Sequence, residues 1–584
     1  MIFQHLSIRN FRNFKELDID LSNKNVIFGL NDIGKTNFLC AIRYLLDKNF
    51  RKNGLQDSDF HEKDISKTIT ITLKLDISDS ENLDNRKIYK AIKGLRRSST
   101  ESLYIQLQSN YSKENLRGDI KLFWGDDVEH LEDVPSFQAN YEIDNVFNVV
   151  YIDSSVQLEN IFKRYTRDIF RDEAILDEKE REKIKRTIDS LNTNISKLSE
   201  IKKFEKRLLK EYKNYRKERN VKLAVRSEIT LDNIHSKLTP YICFDEKTYP
   251  TSGDGRKKIL AYTLLSMENK LIEERRINVF LIEELENHLH RSMQLSLSHQ
   301  LFTDELYKYM FLTTHSSMLV SQMDNVNLIK LYRENGVIGR SYYYTVPSEY
   351  QNLKKKLNQN LTDAIYADYV LLVEGPSEKI LFETILSEFC KDYEGLGGYI
   401  LQVDGIAFRN YYEILMKLGI RVLIKTDNDL KLNEDKKECN YLGLNRCLSL
   451  LKQEKIENET NIDVESYKEN LVKIKGELYD SRFHELCDKL KEDKIYISRV
   501  DLENDLYLII KSKIDKLAID NNSKQNSVKY LQSAKMINMI ELCQLLSKRD
   551  LKKILDSDLF QCIKELINLC NLYRFGYQKS NTRM

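Results

Sequence analysis

Apolar and polar positions alternate along the first forty residues in blocks that predict a strand, a turn, a second strand, a glycine-containing loop and then an amphipathic helix from about Thr36 to Leu46. That order suits a nucleotide-binding α/β unit. Further strands are expected around Ile69 to Leu75, Leu103 to Gln108 and Val146 to Ile152. From about Glu178 to Arg219 Lys, Arg and Glu dominate, Pro and Gly are absent, and Ile184, Ile188, Leu191, Ile195 and Leu198 follow at spacings of 4, 3, 4 and 3. The spacing predicts a helical hairpin or short coiled-coil arm, either a dimerisation arm or a solvated helix packed on its own domain. Strand-like runs resume at Val279 to Ile282 and Tyr309 to Thr313, and a Lys-rich polar stretch from Gln351 to Asn360 then reads as a separator. Beyond it the strand Tyr369 to Val373 opens a new α/β pattern that continues through Lys425 and ends in mostly helical sequence.

A chain of 584 residues is too long for one ordinary hydrophobic core, so two or more domains are expected. Its 92 basic and 90 acidic residues leave a net charge of +2, so a nucleic-acid surface has to come from local clustering. Nine cysteines carry no C-x-x-C pair and match no zinc spacing, which points to reduced thiols in the cytoplasm. No window approaches the roughly 20 apolar residues of a membrane span, and the first residues lack a signal-peptide layout.

The stretch Gly29 to Thr36 matches G-x-x-x-x-G-K-[ST] between a strand and a helix. Glycines let backbone N–H groups curl around phosphates, Lys35 reaches the β and γ phosphates, and the Thr36 hydroxyl takes a place on Mg²⁺. A buried strand ending in Glu283 and Glu284 supplies carboxylates for the metal shell and for polarising water. His315, at the end of a later strand, is placed to sense a γ-phosphate, and Ser252 and Gly253 precede a helix N-terminus ready for an anion.

In that chain order, with Ile8 to Phe14 in front, these blocks resemble the ABC ATPases of the SMC and RecF type. The resemblance implies that two heads sandwich ATP, and hence a homodimer, with contacts from Arg9, Asn31, Gly34, Lys35, Thr36, Asn37, Ser252, Gly253, Glu283, Glu284 and His315. Glu283 stands where most ABC proteins have Asp. That longer side chain is expected to slow hydrolysis and make ATP more a regulator than a fuel.

Acids recur in the second half. Glu374 and Glu378 follow the strand Tyr369 to Val373, Asp427 and Asp429 follow Val422 to Lys425, and Asp501, Glu503 and Asp505 follow Ile495 to Ile497. Acids at the C-terminal ends of buried parallel strands converge on one edge of a sheet, where ligands bind in open α/β folds. If strand geometry persists, Asp427 and Asp429 point the same way and face one metal. Hard oxygen ligands favour Mg²⁺ or Mn²⁺, and two ions bracketing a phosphodiester activate water and stabilise the leaving oxygen. Lys535 is a candidate for neutralising transition-state charge.

Glu374 followed by Asp427-x-Asp429 resembles a Toprim domain, and an interrupted ABC head followed by Toprim resembles the plan of the OLD-family nucleases. More narrowly, several blocks from the Gly29 loop to Asp505 look like the nuclease subunits of Gabija anti-phage systems. The resemblance implies an α/β fold in four parts: an ABC N-terminal lobe over 1–155, a helical arm over 156–240, an ABC C-terminal lobe over 241–348 and a Toprim nuclease domain over 349–584. It implies Mg²⁺-dependent nicking of double-stranded DNA, restrained by ATP, with Glu374, Asp427, Asp429, Asp501 and Lys535 catalytic and Glu378, Glu503 and Thr36 among the metal ligands. It also implies a homo-oligomer, a tetramer of head dimers, joined by a UvrD-like helicase subunit. Two other readings stand beside it: an SMC-like DNA-tethering ATPase without nuclease activity, and a topoisomerase with a nucleophilic tyrosine.

Overall fold

The computed structural model describes residues 1–92, 101–137, 140–153, 161, 178–215, 241–244, 247–250, 254–273, 275–287, 289–334, 336–404 and 407–581. The chain opens with strands β1 (Ile2–Phe11), β2 (Phe14–Asp20) and β3 (Lys24–Phe28), and helix α1 (Lys35–Leu46) follows the glycine loop. Strands β4 (Ile69–Asp76), β5 (Ser102–Ser112) and β6 (Arg117–Gly125) join β1 and β2 in an antiparallel sheet, ordered β2-β1-β4-β5-β6. Along β4 every second residue is buried, the pattern of a strand with one face on a core and one toward water.

β3 belongs to a different sheet. It lies between strands from far along the chain, in the order β7 (Phe147–Ile152), β8 (Ile277–Glu283), β9 (Met310–Thr313), β3, β10 (Val326–Arg333) and β11 (Val337–Tyr344). All neighbours are parallel except the terminal pair β10 and β11. The inner strands β3, β8 and β9 are buried almost throughout because both of their faces are covered. Val26 and Phe28 enter one core, while Ile27 enters another together with Phe3, Leu6 and Ile8 of the antiparallel sheet.

Helices α2 (Glu178–Ser196) and α3 (Ser199–Tyr215) cover the stretch expected to be helical over the described residues. Ile188 is buried on it, whereas Leu191, Leu198, Phe204 and Leu208 are exposed, so one chain leaves part of the apolar stripe uncovered.

The stretch expected to separate the halves is a packed helix instead. In α4 (Lys354–Ile365) Leu357, Leu361, Ala364 and Ile365 are fully buried. Its polar character comes from Lys354, Lys355 and Lys356 on the first turn, while the apolar residues fall at helical spacing on the other face. Beyond it, strands β12 (Tyr369–Val373), β13 (Gly398–Gln402), β14 (Arg421–Thr426) and β15 (Ile495–Ile497) form an all-parallel sheet ordered β13-β12-β14-β15. Val370 and Leu372 of β12 face the same core as Phe28 and α4, and Leu371 and Val373 face a third core built with the C-terminal helices. The molecule is therefore a stack in which the middle core is shared by the two parallel sheets. Among the described residues no helix is long and apolar enough to cross a membrane.

Candidate functional site

The loop between β3 and α1 is shaped by Gly34, whose φ of 110° lies in the left-handed region. A Cβ there would collide with the amide of Asn13, which donates to the Ile33 carbonyl at 2.6 Å and accepts from Asn37 Nδ2 at 2.7 Å. Asn31, Gly34, Lys35, Thr36, Asn37 and Glu284 line a cavity of about 500 Å³. Lys35 is folded onto its own loop and donates to the carbonyls of Gly29 at 2.9 Å and Leu30 at 3.0 Å, where burial lowers its pKa. Thr36 Oγ1 donates to Glu283, whose other oxygen accepts from the Tyr151 hydroxyl at 2.5 Å. The strand order brings Glu283 beside Thr36, because β8 and β3 flank β9 on either side.

His315 approaches from the end of β9, its Nε2 3.5 Å from Glu284. Burial, and secondly the charge of Lys35, lower its pKa against the pull of Glu284 and Glu286. Arg9, expected from the resemblance at the nucleotide, pairs with Asp18 at 2.7 Å and Glu16 at 3.1 Å on β2. The arginine that reaches α1 is Arg12, which donates to Asn37 at 2.9 Å and to Asp59 at 2.8 Å. It lies just beyond β1, where the chain turns toward β2. Ser252 and Gly253 lie outside the described residues.

The second set of acids gathers at the C-terminal edge of the parallel sheet. Glu374 follows β12 directly, and its Oε1 accepts from Thr426 Oγ1 at 2.5 Å and from the Asp427 N–H at 3.1 Å. Asp427 accepts from Ser498 Oγ at 3.0 Å, beyond β15. Burial first, then Glu378, Glu374 and Asp501, drive the Asp427 carboxyl well above the usual range, with Lys425 opposing. Glu378, in the first turn of α5 (Pro376–Phe389), is 7% exposed and raised chiefly by burial. Asp501 caps α7 (Leu502–Asp520; α6, Leu442–Leu450, precedes it), accepting from Asn504 N at 2.8 Å and Gln532 Nε2 at 3.2 Å. Glu503 is 1% exposed and its Oε2 has no hydrogen-bond partner. Lys535, at the start of α8 (Lys535–Leu545), stands 4.0 Å from Glu503 and within reach of the fields of Asp427, Glu378 and Asp501.

Asp429 does not share a face with Asp427. β14 ends at Thr426, so alternation stops there, and Gly443 of α6 packs its Cα against the turn and donates to the Asp429 carbonyl at 2.9 Å. The Asp429 carboxylate instead meets Arg446 at 2.8 Å and Lys475 at 3.8 Å. Arg446 also bonds Glu374, and donates to Thr426 Oγ1 at 2.6 Å, so one guanidinium bridges two of the expected metal ligands. Asp505, buried and accepting from the Arg499 and Val500 N–H groups, shapes the loop before α7; burial pushes its carboxyl up to about 6.

Among the described residues no three acids, histidines or cysteines already converge as a metal cage. The chemistry of the set still fits a divalent cation. Several carboxylates are buried together, Glu503 Oε2 is an orphaned acceptor, and hard oxygen donors are what Mg²⁺ and Mn²⁺ bind. Sequence reasoning missed Arg12, Asn13, Tyr151, Lys425 and Arg446. Of these, Arg12, Asn13, Lys425 and Arg446 lie within blocks that carry the resemblance, but nothing in their spacing marks them.

Comparison with known proteins supports both halves. Residues 365–429 match the family model described as "Overcoming lysogenization defect protein-like, TOPRIM domain", and residues 1–218 match an AAA ATPase domain. The chain is 42% identical to Endonuclease GajA of Bacillus cereus (strain VD045) over 97% of this chain and 99% of that protein. It is 21% identical to Endonuclease GajA of Bacillus cereus (strain HuB5-5), over 74% of each. A crystal structure of an SMC head bound to the C-terminal winged-helix domain of ScpA aligns at a TM-score of 0.33 and 13% identity, over 58% of this chain and 97% of that one. With an ATPase loop in its first parallel sheet, an OLD-like Toprim edge in its second and nearly full-length similarity to one such enzyme, the chain belongs to the GajA endonuclease family.

Proposed function

We propose that the protein is a divalent-metal-dependent endonuclease that nicks double-stranded DNA in anti-phage defence and that ATP in the head restrains it. The observation that carries this reading is the buried acid cluster at the C-terminal edge of the parallel sheet, with Lys535 facing it. Glu374, Glu378, Asp427, Asp501 and Glu503 would hold Mg²⁺ or Mn²⁺, and Asp429 would join them on leaving Arg446. Bound there, the ions supply activation of water and stabilisation of the leaving oxygen. The protein's own part is to fix the acids through Thr426, Ser498 and the capped start of α7, and to set the Lys535 ammonium where negative charge develops.

In the head, Lys35 would exchange its carbonyl partners for phosphate oxygens, with Thr36 and Glu283 at the metal position. The bonds from Thr36 and Tyr151 already engage Glu283, which favours ATP as a retained regulator over a rapidly hydrolysed fuel. The uncovered stripe of Leu191, Leu198, Phe204 and Leu208 supports the arm as a contact in a homo-oligomer, a dimer of heads or a tetramer. A UvrD-like helicase subunit is proposed as partner through family membership, and the cytoplasm as location.

The test is a nicking assay on supercoiled phage DNA with Mg²⁺, comparing wild type with Glu374→Ala and Asp427→Ala, each with and without millimolar ATP. Nicking that vanishes in both variants and falls with ATP is expected. If wild type leaves DNA intact with Mg²⁺ or Mn²⁺ in the absence of nucleotide, the nuclease reading fails and the tethering ATPase takes its place.

A further inference from the structure

The two sites are joined by an unusually short covalent and packed route. Tyr366 caps the end of α4, three residues before β12, and β12 leads straight into Glu374. The eight residue-to-residue steps from Tyr366 to Glu374 span on the order of 25 Å if extended. The hydrogen bond of the Tyr366 hydroxyl and the two ring contacts of its side chain reach into the head. Its hydroxyl donates to the carbonyl of Thr314, its ring stacks on His315 with centroids 5.4 Å apart and planes at 24°, and Phe28 meets it edge-on at 5.7 Å. Phe28 is the last residue of the strand that feeds the nucleotide loop.

The neighbours of Tyr366 are held in the same way. Lys330 of β10 donates to the Ala367 carbonyl at 2.6 Å and lies 3.8 Å from Asp368. Asp368 then passes into the second sheet, its N–H bonded to Gly397 and its carbonyl accepting from Arg421 at 3.0 Å, the first residue of β14. Head residues thus fix the root of the two strands that carry Glu374 and Asp427. On the nucleotide side, His315 N–H and Thr314 Oγ1 both bond Glu286 Oε1, at 2.6 and 2.8 Å, so residues 314–315 move as one piece. His315 in turn touches Glu284, which lines the nucleotide cavity.

We infer that Tyr366 is the positioning residue through which nucleotide in the head sets the placement of Glu374 and Asp427 in the nuclease site. This deepens, and rests on, the proposal that ATP restrains nicking. A γ-phosphate arriving beside Lys35 and Glu284 adds negative charge where His315 meets Glu284. The response of His315 is passed to the stacked ring, and through residues 366–368 to the roots of β12 and β14. Coupling of this kind is carried by an element with two arrangements that both sites bias.

The experiment uses the full-length protein and two substitutions, Tyr366→Leu and Tyr366→Phe, with nicking of supercoiled DNA and binding of a fluorescent ATP analogue measured side by side. Wild type is expected to slow about tenfold with saturating ATP, a coupling of ordinary size. Tyr366→Leu is expected to bind the analogue within about threefold of wild type yet slow less than about twofold, whereas Tyr366→Phe keeps the stack and recovers much of the restraint. A merely structural role would lower nicking equally with and without ATP and leave their ratio unchanged, and that result overturns the inference. If wild type nicks but is not slowed by ATP, the regulatory proposal itself falls and the relay with it. Should Tyr366→Leu fold poorly, hydrogen exchange on wild type decides: ATP must alter protection in segments 366–375 and 421–428, and no change there also overturns the relay.

Discussion

The loop after β3 and the acids after β12 and β14 occupy the same edge of two parallel sheets but differ in what they leave unfinished. In the first, charges are already matched: Lys35 rests on two carbonyls, Glu283 accepts from Thr36 and Tyr151, and Asn37 is held by Arg12 and Asn13. In the second, Glu378, Asp427, Asp501 and Glu503 crowd together with Lys425 and Lys535 as the counter-charges that register on them, and Glu503 keeps an unpartnered oxygen. A site whose lysine, threonine and first carboxylate already have partners can respond to ATP by exchanging them, although Glu286 Oε2 beside it is itself without a hydrogen-bond partner. A site with surplus buried negative charge depends on a cation for its stability as well as for its chemistry.

The largest expected effect tests that dependence. Asp427→Asn should lower nicking by at least about 100-fold, and in EDTA it should melt no lower than wild type, since a buried like charge has been removed. Millimolar Mg²⁺ should raise the wild-type midpoint, because a ligand at about 100 times its Kd adds about 2.7 kcal/mol, and should raise that of the variant less. A variant that melts far below wild type in EDTA would mean the acids are already balanced.

On the other side of the comparison, Lys35→Ala should weaken binding of a fluorescent ATP analogue by about 100-fold, as expected when a buried charged partner of phosphate is lost. Unchanged binding would remove the loop as the nucleotide site. Arg446→Met is next in size. It frees Glu374 and Asp429 from their shared guanidinium, and nicking should fall about 10–100-fold, the usual range for a group that orients metal ligands. A titration with Mn²⁺ followed by its paramagnetic signal shows whether the loss lies in metal affinity.

The smallest effect concerns Lys330, 5% exposed, whose pKa burial lowers to about 8 from an ordinary 10.5. The folded chain then holds fewer protons than the unfolded chain between those values, so this group makes stability rise with pH across that window. Relative to Lys330→Met, wild type should gain about 1–3 kcal/mol between pH 7 and pH 10. Parallel melting curves for the two proteins across that range would show the ammonium to be better solvated than its burial implies.

What could be read from sequence divides along the same line. The nucleotide loop announces itself because its function is local: Gly34, Lys35 and Thr36 are adjacent, and the strand and helix around them have clear periods. The strands ending in Glu283, Glu374 and Asp427 were legible as apolar runs closed by acids. Asp429 was misjudged because alternation was extended past Thr426, where the strand stops and Gly443 admits a turn. Arg9 came from the resemblance alone, and nothing local in the sequence pointed to Arg12, because the partners of each guanidinium, Asp18 and Asp59, lie elsewhere along the chain. The stretch around Lys355 read as a spacer because charges on one helical face hid the buried positions on the other. Contacts such as His315 on Tyr366, or Arg446 on Glu374, join residues dozens of positions apart and leave no trace in spacing.

The middle core has a consequence for how the molecule comes apart. Val26 and Phe28 from the first parallel sheet, Leu357 and Leu361 from α4, and Val370 and Leu372 from the second parallel sheet are one contiguous apolar body. Neither half can shed the other without opening that body to water, so unfolding is cooperative across what the sequence divides into separate domains. A fragment beginning at residue 349 would expose the part of this apolar body that Val26, Phe28 and their neighbours cover, and evolution could exchange the nuclease module only together with the surface against which it is folded.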